Sequence, residues 1–166
     1  MKYADVPAVQ VDVLIEASTA RVWELVTDIG LPARFSSELQ EAHWLDATVQ
    51  PVPGAQFVGR NRHEAAGEWE TTCVVTISEP DHRFVWVVGE PAHPSATWGF
   101  DLEREGSGVR LRQWARLGPA PSGLTPAIAA MPDKEERIIL RRLEEHRANM
   151  QATVEGIKAL AETSSS

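Results

Sequence analysis

Cysteine is almost absent from this chain, since Cys73 is the only one among 166 residues. No disulfide can form within the chain, which favours a reducing compartment such as the cytoplasm. Long apolar runs are missing as well, and the N-terminal stretch lacks the basic, apolar and small-residue order of a signal peptide. We therefore expect a cytoplasmic protein without an integral membrane span.

Cationic residues are also scarce, with 16 lysines and arginines against 24 aspartates and glutamates and a formal net charge of -8. This balance argues against nucleic acid as a partner, because a nucleic-acid binder needs a basic face for the phosphates. The five histidines are scattered, and the sequence has no HExxH motif, no glycine-rich phosphate loop and no serine nucleophile elbow. We expect no metal and no other cofactor, and nucleophilic catalysis is not favoured.

The rest of the composition fits one globular domain. The 166 residues are enough for one domain with a core and too few for two ordinary domains. Hydrophobic residues make up 43% of the chain and charged residues 24%, as in globular proteins. No repeat or linker divides the sequence. Residues 1–166 are therefore predicted to form a single domain with an ordered core over 8–162 and a flexible tail over 163–166. We expect a monomer or a homodimer.

Apolar periodicity predicts the order of the elements. Alternation over 9–15 indicates a first strand, and helical spacing from Val22 to Ile29, with Ser18 as the cap, indicates a helix before a second short helical turn over 31–37. Period-two alternation then predicts six strands joined by short turns, at about 39–46, 55–64, 68–78, 83–89, 96–104 and 108–117. Such short connections predict an antiparallel meander.

A long final helix, from about residue 133 to 162, is expected to set the architecture. Its apolar stripe predicts that it lies lengthwise over the sheet, and it comprises Ile139, Leu143, Met150, Val154, Ile157 and Ala161, with Leu160 alongside. We predict an α+β fold in which a curved antiparallel sheet of about seven strands grips this helix, with two short helices after the first strand. A sheet of that width leaves a cavity beside one helix.

The segment between the last strand and the final helix, 118–132, is predicted to be a loop rich in proline and glycine. Its prolines oppose a strand or a continuous helix, and its glycines allow movement. The loop carries three apolar residues, Leu124, Ile128 and Met131. We expect these residues to cover the mouth of the cavity.

Four stretches give the chain a resemblance to a known superfamily. They are VDVLIEASTARVWELVTDIG, GAQFVGRNRHEAAGEWETTCVVTISEPDHRFVWVVG, ATWGFDLEREGSGVRLRQ and RANMQATVEGIKALAE. Over about residues 8–162 the chain resembles the START-like or SRPBCC superfamily, and most of all its bacterial polyketide cyclase/dehydrase and lipid transport branch. The resemblance implies the helix-grip fold. It leaves the function open, since the superfamily includes polyketide aromatase/cyclases as well as binders of lipids, hormones and ubiquinone.

One predicted strand does not have a uniformly apolar inward face, because Gly59, Asn61 and His63 share a face with Phe57. If this face lines a cavity, Gly59 leaves room and the two polar side chains offer hydrogen bonds to a ligand. The alternative is that Asn61 and His63 lie near a strand end and meet solvent. The predicted ligand-binding set is Phe57, Gly59, Asn61, Trp69, Thr71, Trp86, Trp98, Gln113, His146 and Met150. Its aromatic members suit a flat, apolar ligand, although core packing explains some of them.

The candidates for an acid or base are His146, Asn61 and His63. His146 lies on the apolar stripe of the final helix, where it faces the sheet and can exchange a proton near neutral pH. The alternative is a structural histidine whose ring is bonded by a backbone carbonyl or by water. The sole tyrosine, Tyr3, precedes the first strand and is not expected to serve as an acid in the cavity.

Two features depend on strand register. Arg60 and Arg62 alternate outward, but a slip of one residue would turn both into the cavity. The resemblance gives that alternative weight, since some aromatase/cyclases of this fold use an arginine on the corresponding strand. Trp114 either covers the outside of the sheet or is turned inward by a bulge.

Two functions from different classes fit these expectations. The first is binding of a hydrophobic, aromatic or polyketide-like small molecule without chemistry. The second is a cofactor-free polyketide aromatase/cyclase that promotes aldol closure and loss of water. Because acid and base groups are few, the sequence favours binding. A chaperone cofactor would need an exposed docking patch, and the sequence shows no evident one.

Overall fold

The computed structural model describes residues 1–46 and 51–163 of the chain. Its strands are β1 (Ala8–Ile15), β2 (Leu39–Trp44), β3 (Gln56–His63), β4 (Gly67–Glu79), β5 (Arg83–Glu90), β6 (His93–Glu105) and β7 (Gly108–Leu117). Its helices are α1 (Thr19–Val26), α2 (Thr125–Ala130) and α3 (Glu135–Thr163), and short 3-10 turns lie at Tyr3–Asp5, Leu31–Arg34 and Pro132–Lys134. All seven strands predicted from the sequence are present. The predicted tail falls almost entirely on residues 164–166, which lie outside the described residues.

The strands form one antiparallel sheet in the order β1-β7-β6-β5-β4-β3-β2. From β2 to β7 each strand pairs with its neighbour in sequence, as the short turns predicted. β1 pairs with β7, and this pairing places Ile15 opposite Val109. The β3–β4 hairpin turns at Gly67, whose φ of +73° lies in the left-handed region that glycine adopts without strain.

α1 forms where the sequence places a cap before an apolar face. The side-chain oxygen of Ser18 accepts a hydrogen bond of 3.1 Å from the backbone N–H of Arg21, which satisfies one of the free donors at the helix start. The buried side chains Val22, Leu25 and Val26 recur at helical spacing and join the core. α1 is thereby fixed against one end of the sheet.

α3 lies along the concave side of the curled sheet, as the apolar stripe predicted. Every stripe residue from Ile139 to Ala161 is buried, including Val154 and Ile157 with no exposed surface. The α3 backbone lies closest to β1, with α1 and β7 beside it, and further from β3, β4 and β5. The predicted helix-grip architecture is therefore confirmed, and the helix occupies one side of the grip.

The segment from 118 to 131 is more ordered than a plain loop. It contains the six-residue helix α2, which the sequence analysis did not predict; Pro126 lies in its first turn, where a missing N–H removes no helical bond. The hydroxyl of Tyr3 donates a hydrogen bond of 2.6 Å to the carbonyl oxygen of Ala120. Leu124 and Ile128 pack against a small cluster of buried side chains around Ile139. These contacts attach both ends of the segment to the domain.

Among residues 1–46 and 51–163, no helix has the length and apolar content needed to cross a membrane.

Candidate ligand-binding site

Cross-strand pairing shows which residues share the concave face of the sheet. Gly59 lies opposite Thr71, Asn61 opposite Trp69, and Trp86 opposite Trp98. Directly opposed residues point to the same side of a sheet, and Trp98 contacts His146 on α3. The predicted lining residues of the sheet therefore share the face that lies on the side of α3.

This shared face is not uniformly buried. Phe57 and Met150 are only 5% and 1% exposed, and the Phe57 ring meets Trp44 and Trp86 at centroid distances of 5.5 and 6.0 Å. Such close packing makes these two residues part of the core. The half-buried members lie on β3 to β6, furthest from the α3 backbone, and are Asn61, Trp69, Thr71, Trp86 and Trp98.

The expectation that Gly59 leaves room for a ligand is wrong. A Cβ atom at this position would lie 3.3 Å from both the Leu39 Cδ1 and the Thr71 Oγ1. The Leu39 side chain from β2 therefore already fills the space above the glycine. Gly59 allows β2 and β4 side chains to pack closely, and any ligand must lie nearer the half-buried residues.

Aromatic rings form a continuous wall in the middle of the face. The rings of Trp86 and Trp98 are stacked with centroids 6.5 Å apart and an angle of 7° between their planes. Phe84 and Phe100 support Trp86 from the core side at 5.6 and 5.9 Å. His146 closes the wall, with its ring edge-on to Trp98. These rings give the middle of the face a large apolar, aromatic surface.

His146 is a buried histidine whose ring has no hydrogen-bond partner among the described residues. The carbonyl partner that we considered from the sequence is therefore not found there. Burial, reinforced by the positive charge of Arg142, lowers the pKa of His146 to about 3. The imidazole is thus neutral at neutral pH, with one nitrogen able to donate and the other able to accept.

Gln113 is the second buried polar group that faces inward. Its side chain is 4% exposed, and its Oε1 atom is buried without a hydrogen-bond partner in the described part of the chain. Its cross-strand neighbours, Val11 and Phe100, are apolar and offer nothing to this oxygen. Leaving such an acceptor unpaired costs about 1–3 kcal/mol.

Asn61 and His63 differ from these two groups because both have protein partners. The Nδ2 of Asn61 donates to the Thr71 Oγ1 at 3.4 Å. The Nδ1 of His63 accepts from the backbone N–H of Ala65 at 3.0 Å, so the ring proton lies on Nε2, which donates to a Glu145 carboxylate oxygen at 3.0 Å. With both ring nitrogens engaged, His63 is poorly placed to act on a ligand.

A polar network joins α3 to the β2–β3 side of the site. Arg142 forms a bidentate pair with Glu38, with both nitrogen–oxygen distances at 2.7 Å, and also bonds Glu145 at 3.0 Å. Sequence reasoning missed Glu38 and Glu145, because the partners are 104 and 82 residues apart in the chain. No local pattern signals pairs at such a separation.

The two features that depended on register lie on the outer face. Arg60 pairs with Glu41 at 3.3 Å and with Glu68 at 3.7 Å. Trp114 covers Gly99, where even a Cβ atom would overlap the indole ring, and the Arg116 guanidinium lies 4.6 Å from the Trp114 ring centre. Arginine is therefore not a lining residue on β3, and Trp114 packs on the outside of the sheet.

No group of three or more histidine, cysteine, aspartate or glutamate side chains within 1–46 and 51–163 could hold a metal ion. One surface hollow lies beside Asp81 and His82, and another lies beside Ile29 and His43. Neither hollow contains a residue of the predicted set. The cavity between sheet and α3 therefore stays a prediction, supported by the half-buried wall and the two unpartnered polar groups.

The chain is similar to known proteins in sequence and in structure. The family described as polyketide cyclase / dehydrase and lipid transport matches residues 7–162. The solution NMR structure of the Polyketide_cyc-like protein Cgl2372 from Corynebacterium glutamicum is similar, with 26% identity, a TM-score of 0.66 and coverage of 94% of this chain and 91% of that one. A search of proteins with curated functions gives no significant match.

Two di-domain ARO/CYC proteins share the fold. BexL, from the BE-7585A biosynthetic pathway, is 20% identical with a TM-score of 0.66, and StfQ, from the steffimycin biosynthetic pathway, is 14% identical with a TM-score of 0.71. Each alignment covers 94% of this chain, and 50% of BexL and 51% of StfQ. The chain thus spans about half the length of these two proteins, and at this identity the likeness concerns the fold alone.

Proposed function

Because the chain belongs to the polyketide cyclase/dehydrase and lipid transport family, we propose that it binds an uncharged, flat, hydrophobic molecule of aromatic or polyketide type between the sheet and α3. The observation that carries this proposal is the buried Gln113 Oε1, which has no hydrogen-bond partner in the described part of the chain, together with the buried and uncharged ring of His146. Both lie on the largely apolar and aromatic concave face, where the polar side chains of Asn61 and Thr71 bond each other. A few polar groups in an apolar shell are typical of a site that orients such a ligand.

The side chains of Gln113 and His146 also indicate which functional groups the ligand carries. The Gln113 Oε1 accepts hydrogen bonds only, so a hydroxyl group on the ligand would satisfy it. A neutral His146 can accept or donate a second bond without placing a charge in the site. A ligand with a ring system and one or two hydroxyl or carbonyl groups fits both residues.

The position of α3 supports binding of such a ligand beside the strands that lie furthest from the helix. The helix backbone lies nearest β1 and β7, while the stacked rings of Trp86 and Trp98 lie on β5 and β6 and are half-buried. A flat molecule against these rings would bury apolar surface at about 25 cal/mol per Å². Binding would therefore complete the core on the side that the helix leaves open.

A polyketide aromatase/cyclase is the second candidate, favoured by the family and by the shared fold of BexL and StfQ. Aldol closure needs a group that removes a proton beside a carbonyl. His146, with a pKa of about 3, is a weak base, and both nitrogens of His63 are already bonded. Catalysis here would rely on the shape of the site and exclusion of water, so binding is the better supported function.

Paired ligands test the proposal. We would titrate the protein with 1-naphthol and with naphthalene, following tryptophan quenching, in the parent and in Gln113→Leu and His146→Leu. We expect the parent to prefer 1-naphthol by about tenfold, or about 1.4 kcal/mol, and Gln113→Leu to lose most of that preference. Gln10→Leu is the matched control, because Gln10 is exposed on the neighbouring strand. If neither compound quenches the parent, or if Gln113→Leu keeps the preference, the proposal is wrong.

A further inference from the structure

The flank of α3 that faces away from β1 carries a stripe of polar side chains. Arg142, Glu145 and Asn149 are spaced by three and four residues, so they lie on one side of the helix. Each reaches the β2–β3 side of the sheet. Arg142 binds Glu38, Glu145 binds His63, and the Asn149 Oδ1 accepts bonds of 3.0 Å from both the backbone N–H and the hydroxyl of Ser37.

The Arg142–Glu38 link is partly shielded from water, while the Asn149–Ser37 link is exposed. The Arg142 and Glu38 side chains are 17% and 13% exposed, whereas the Arg147–Glu144 pair on the outer side of the same helix is 46% and 63% exposed. Bidentate, charge-assisted bonds in such surroundings are stronger than an ordinary surface ion pair. The links therefore hold the helix to this side of the sheet.

The links also border the candidate site. His146 follows Glu145 directly in α3 and lies one turn beyond Arg142, and Asn61 lies two residues before His63 on the concave face. A molecule that enters on this flank must pass between α3 and the β2–β3 hairpin. That passage is where the three links lie.

We propose, resting on the ligand-binding function above, that these three links form a latch whose opening admits the ligand. Along β1 the helix is held mainly by apolar packing, with one bond from Lys158 to the Leu14 carbonyl near the end of the helix, and separating the apolar surfaces would expose hydrocarbon to water. Along the β2–β3 side it is held by charged and polar side chains, which water solvates again once they separate. The domain therefore opens along the polar flank at the lower cost, while the apolar flank acts as the hinge.

Cys73 provides a built-in reporter for this opening. It is the only cysteine in the chain, lies on the concave face of β4 and is 3% exposed. We would measure its modification by 4,4′-dithiodipyridine under native conditions in the parent, Arg142→Gln and Glu38→Gln, with the unfolding constant from urea denaturation of each protein. Glu144→Gln is the matched control, because it removes the exposed ion pair on the same helix.

We expect Arg142→Gln, which loses the link to Glu38 and also the bond that positions Glu145, to raise the Cys73 modification rate by about tenfold or more, beyond any increase in its unfolding constant. Glu38→Gln should raise the rate less, and Glu144→Gln should stay within about twofold of the parent. If the rates in both latch variants rise only in proportion to the unfolding constants, or no more than in Glu144→Gln, the latch is excluded.

Stopped-flow binding of 1-naphthol separates the latch from the ligand-binding function. The latch predicts that association and dissociation both accelerate in Arg142→Gln, with a smaller change in the dissociation constant. Unchanged rate constants for naphthol would overturn the latch and leave the binding function standing. A parent that binds no naphthol would overturn the binding function, and Cys73 modification would still decide whether this flank opens.

Discussion

The imidazole of His146 on α3 meets the indole of Trp98 on β6 edge to face, with ring centroids 4.8 Å apart and ring planes at 82°. This contact joins the helix to the aromatic wall of the sheet. The imidazole is buried at this contact, and burial, together with the positive charge of Arg142, lowers its pKa. A charge on His146 would be costly in this position.

The first prediction concerns stability in acid. Below pH 6.5 the unfolded chain takes up a proton at His146, while the folded protein, whose His146 pKa is about 3, does not. The free energy of unfolding therefore falls with decreasing pH, and His146 contributes up to about 1.4 kcal/mol per pH unit to that fall. We expect His146→Leu to lose less stability than the parent between pH 6.5 and pH 4.5, measured by urea unfolding.

His93→Gln is the control for that experiment, because His93 is exposed. It should lose stability with pH as steeply as the parent. An NMR titration gives a second readout, in which the His146 ring signals should stay in the neutral form down to about pH 4. Identical slopes in parent and His146→Leu would show that His146 is protonated in the folded protein.

The second prediction concerns the buried stripe of α3. Leu143→Ala and Ile157→Ala remove side chains that are 7% and 0% exposed, so each should reduce the free energy of unfolding by about 2–5 kcal/mol. Leu140→Ala makes the same change at a position that is 50% exposed and should cost less than about 1 kcal/mol. Denaturant unfolding checks all three variants, and equal losses would mean that the stripe does not face the core.

The third prediction is that replacing a glycine of α3 by alanine lowers the stability of the protein, whereas the same change in most helices raises it. Replacing an interior helical glycine by alanine normally stabilises a helix by about 1 kcal/mol. In α3, however, a Cβ atom on Gly156 would lie 2.5 Å from the ring of Phe35. Gly156→Ala should therefore destabilise the protein by about 1–3 kcal/mol.

A double mutant tests the cause of that reversal. In a Phe35→Ala background the overlap is gone, and Gly156→Ala should then stabilise the protein relative to Phe35→Ala alone. If alanine at 156 destabilises equally in both backgrounds, contact with Phe35 is not the reason for the glycine.

The fourth prediction concerns the segment 118–131. Tyr3→Phe removes the hydroxyl that bonds the carbonyl oxygen of Ala120. The amides of Gly118 and Ala120, which bond the carbonyls of Ser95 and Pro94, should then exchange about fivefold faster, as expected for one lost hydrogen bond of about 1 kcal/mol. Amides in the middle of β7 serve as the control and should not change.

The same hydrogen-exchange measurement tests the expectation that this segment covers the mouth of the site. Amides from residue 121 to 131 should exchange faster than those of the core strands and slow down when 1-naphthol binds. Exchange as slow as in the strands, with no response to the ligand, would show that the segment is a fixed part of the wall.

Periodicity predicted the fold because each element carries its own local signal. Alternation sets the strands, and the stripe from Ile139 to Ala161 sets α3 against the sheet. α2 escaped prediction because its six residues are too few for a helical period to show, and the prolines nearby indicated a loop. Short helices depend on tertiary packing, which for Leu124 and Ile128 comes from distant residues.

The site was predictable only where strand register determines it. Counting by twos placed Asn61, Gln113 and the three inward tryptophans on the concave face. It could not show that Leu39 fills the space above Gly59, because that depends on how β2 crosses β3. The pairing of Arg142 with Glu38 was equally hidden, since it depends on where α3 crosses the curled sheet.

The pairing of β1 with β7 has a consequence for synthesis on the ribosome. Each strand from β2 to β7 pairs with a strand next to it in sequence and can do so as the chain emerges. Val11 on β1 can pair with Gln113 only after β7 has been made. Contacts between distant parts of a chain form slowly because the loop between them has to close first. The first strand of this domain to leave the ribosome is thus the last to be paired, since its β7 partners lie roughly a hundred residues further along the chain.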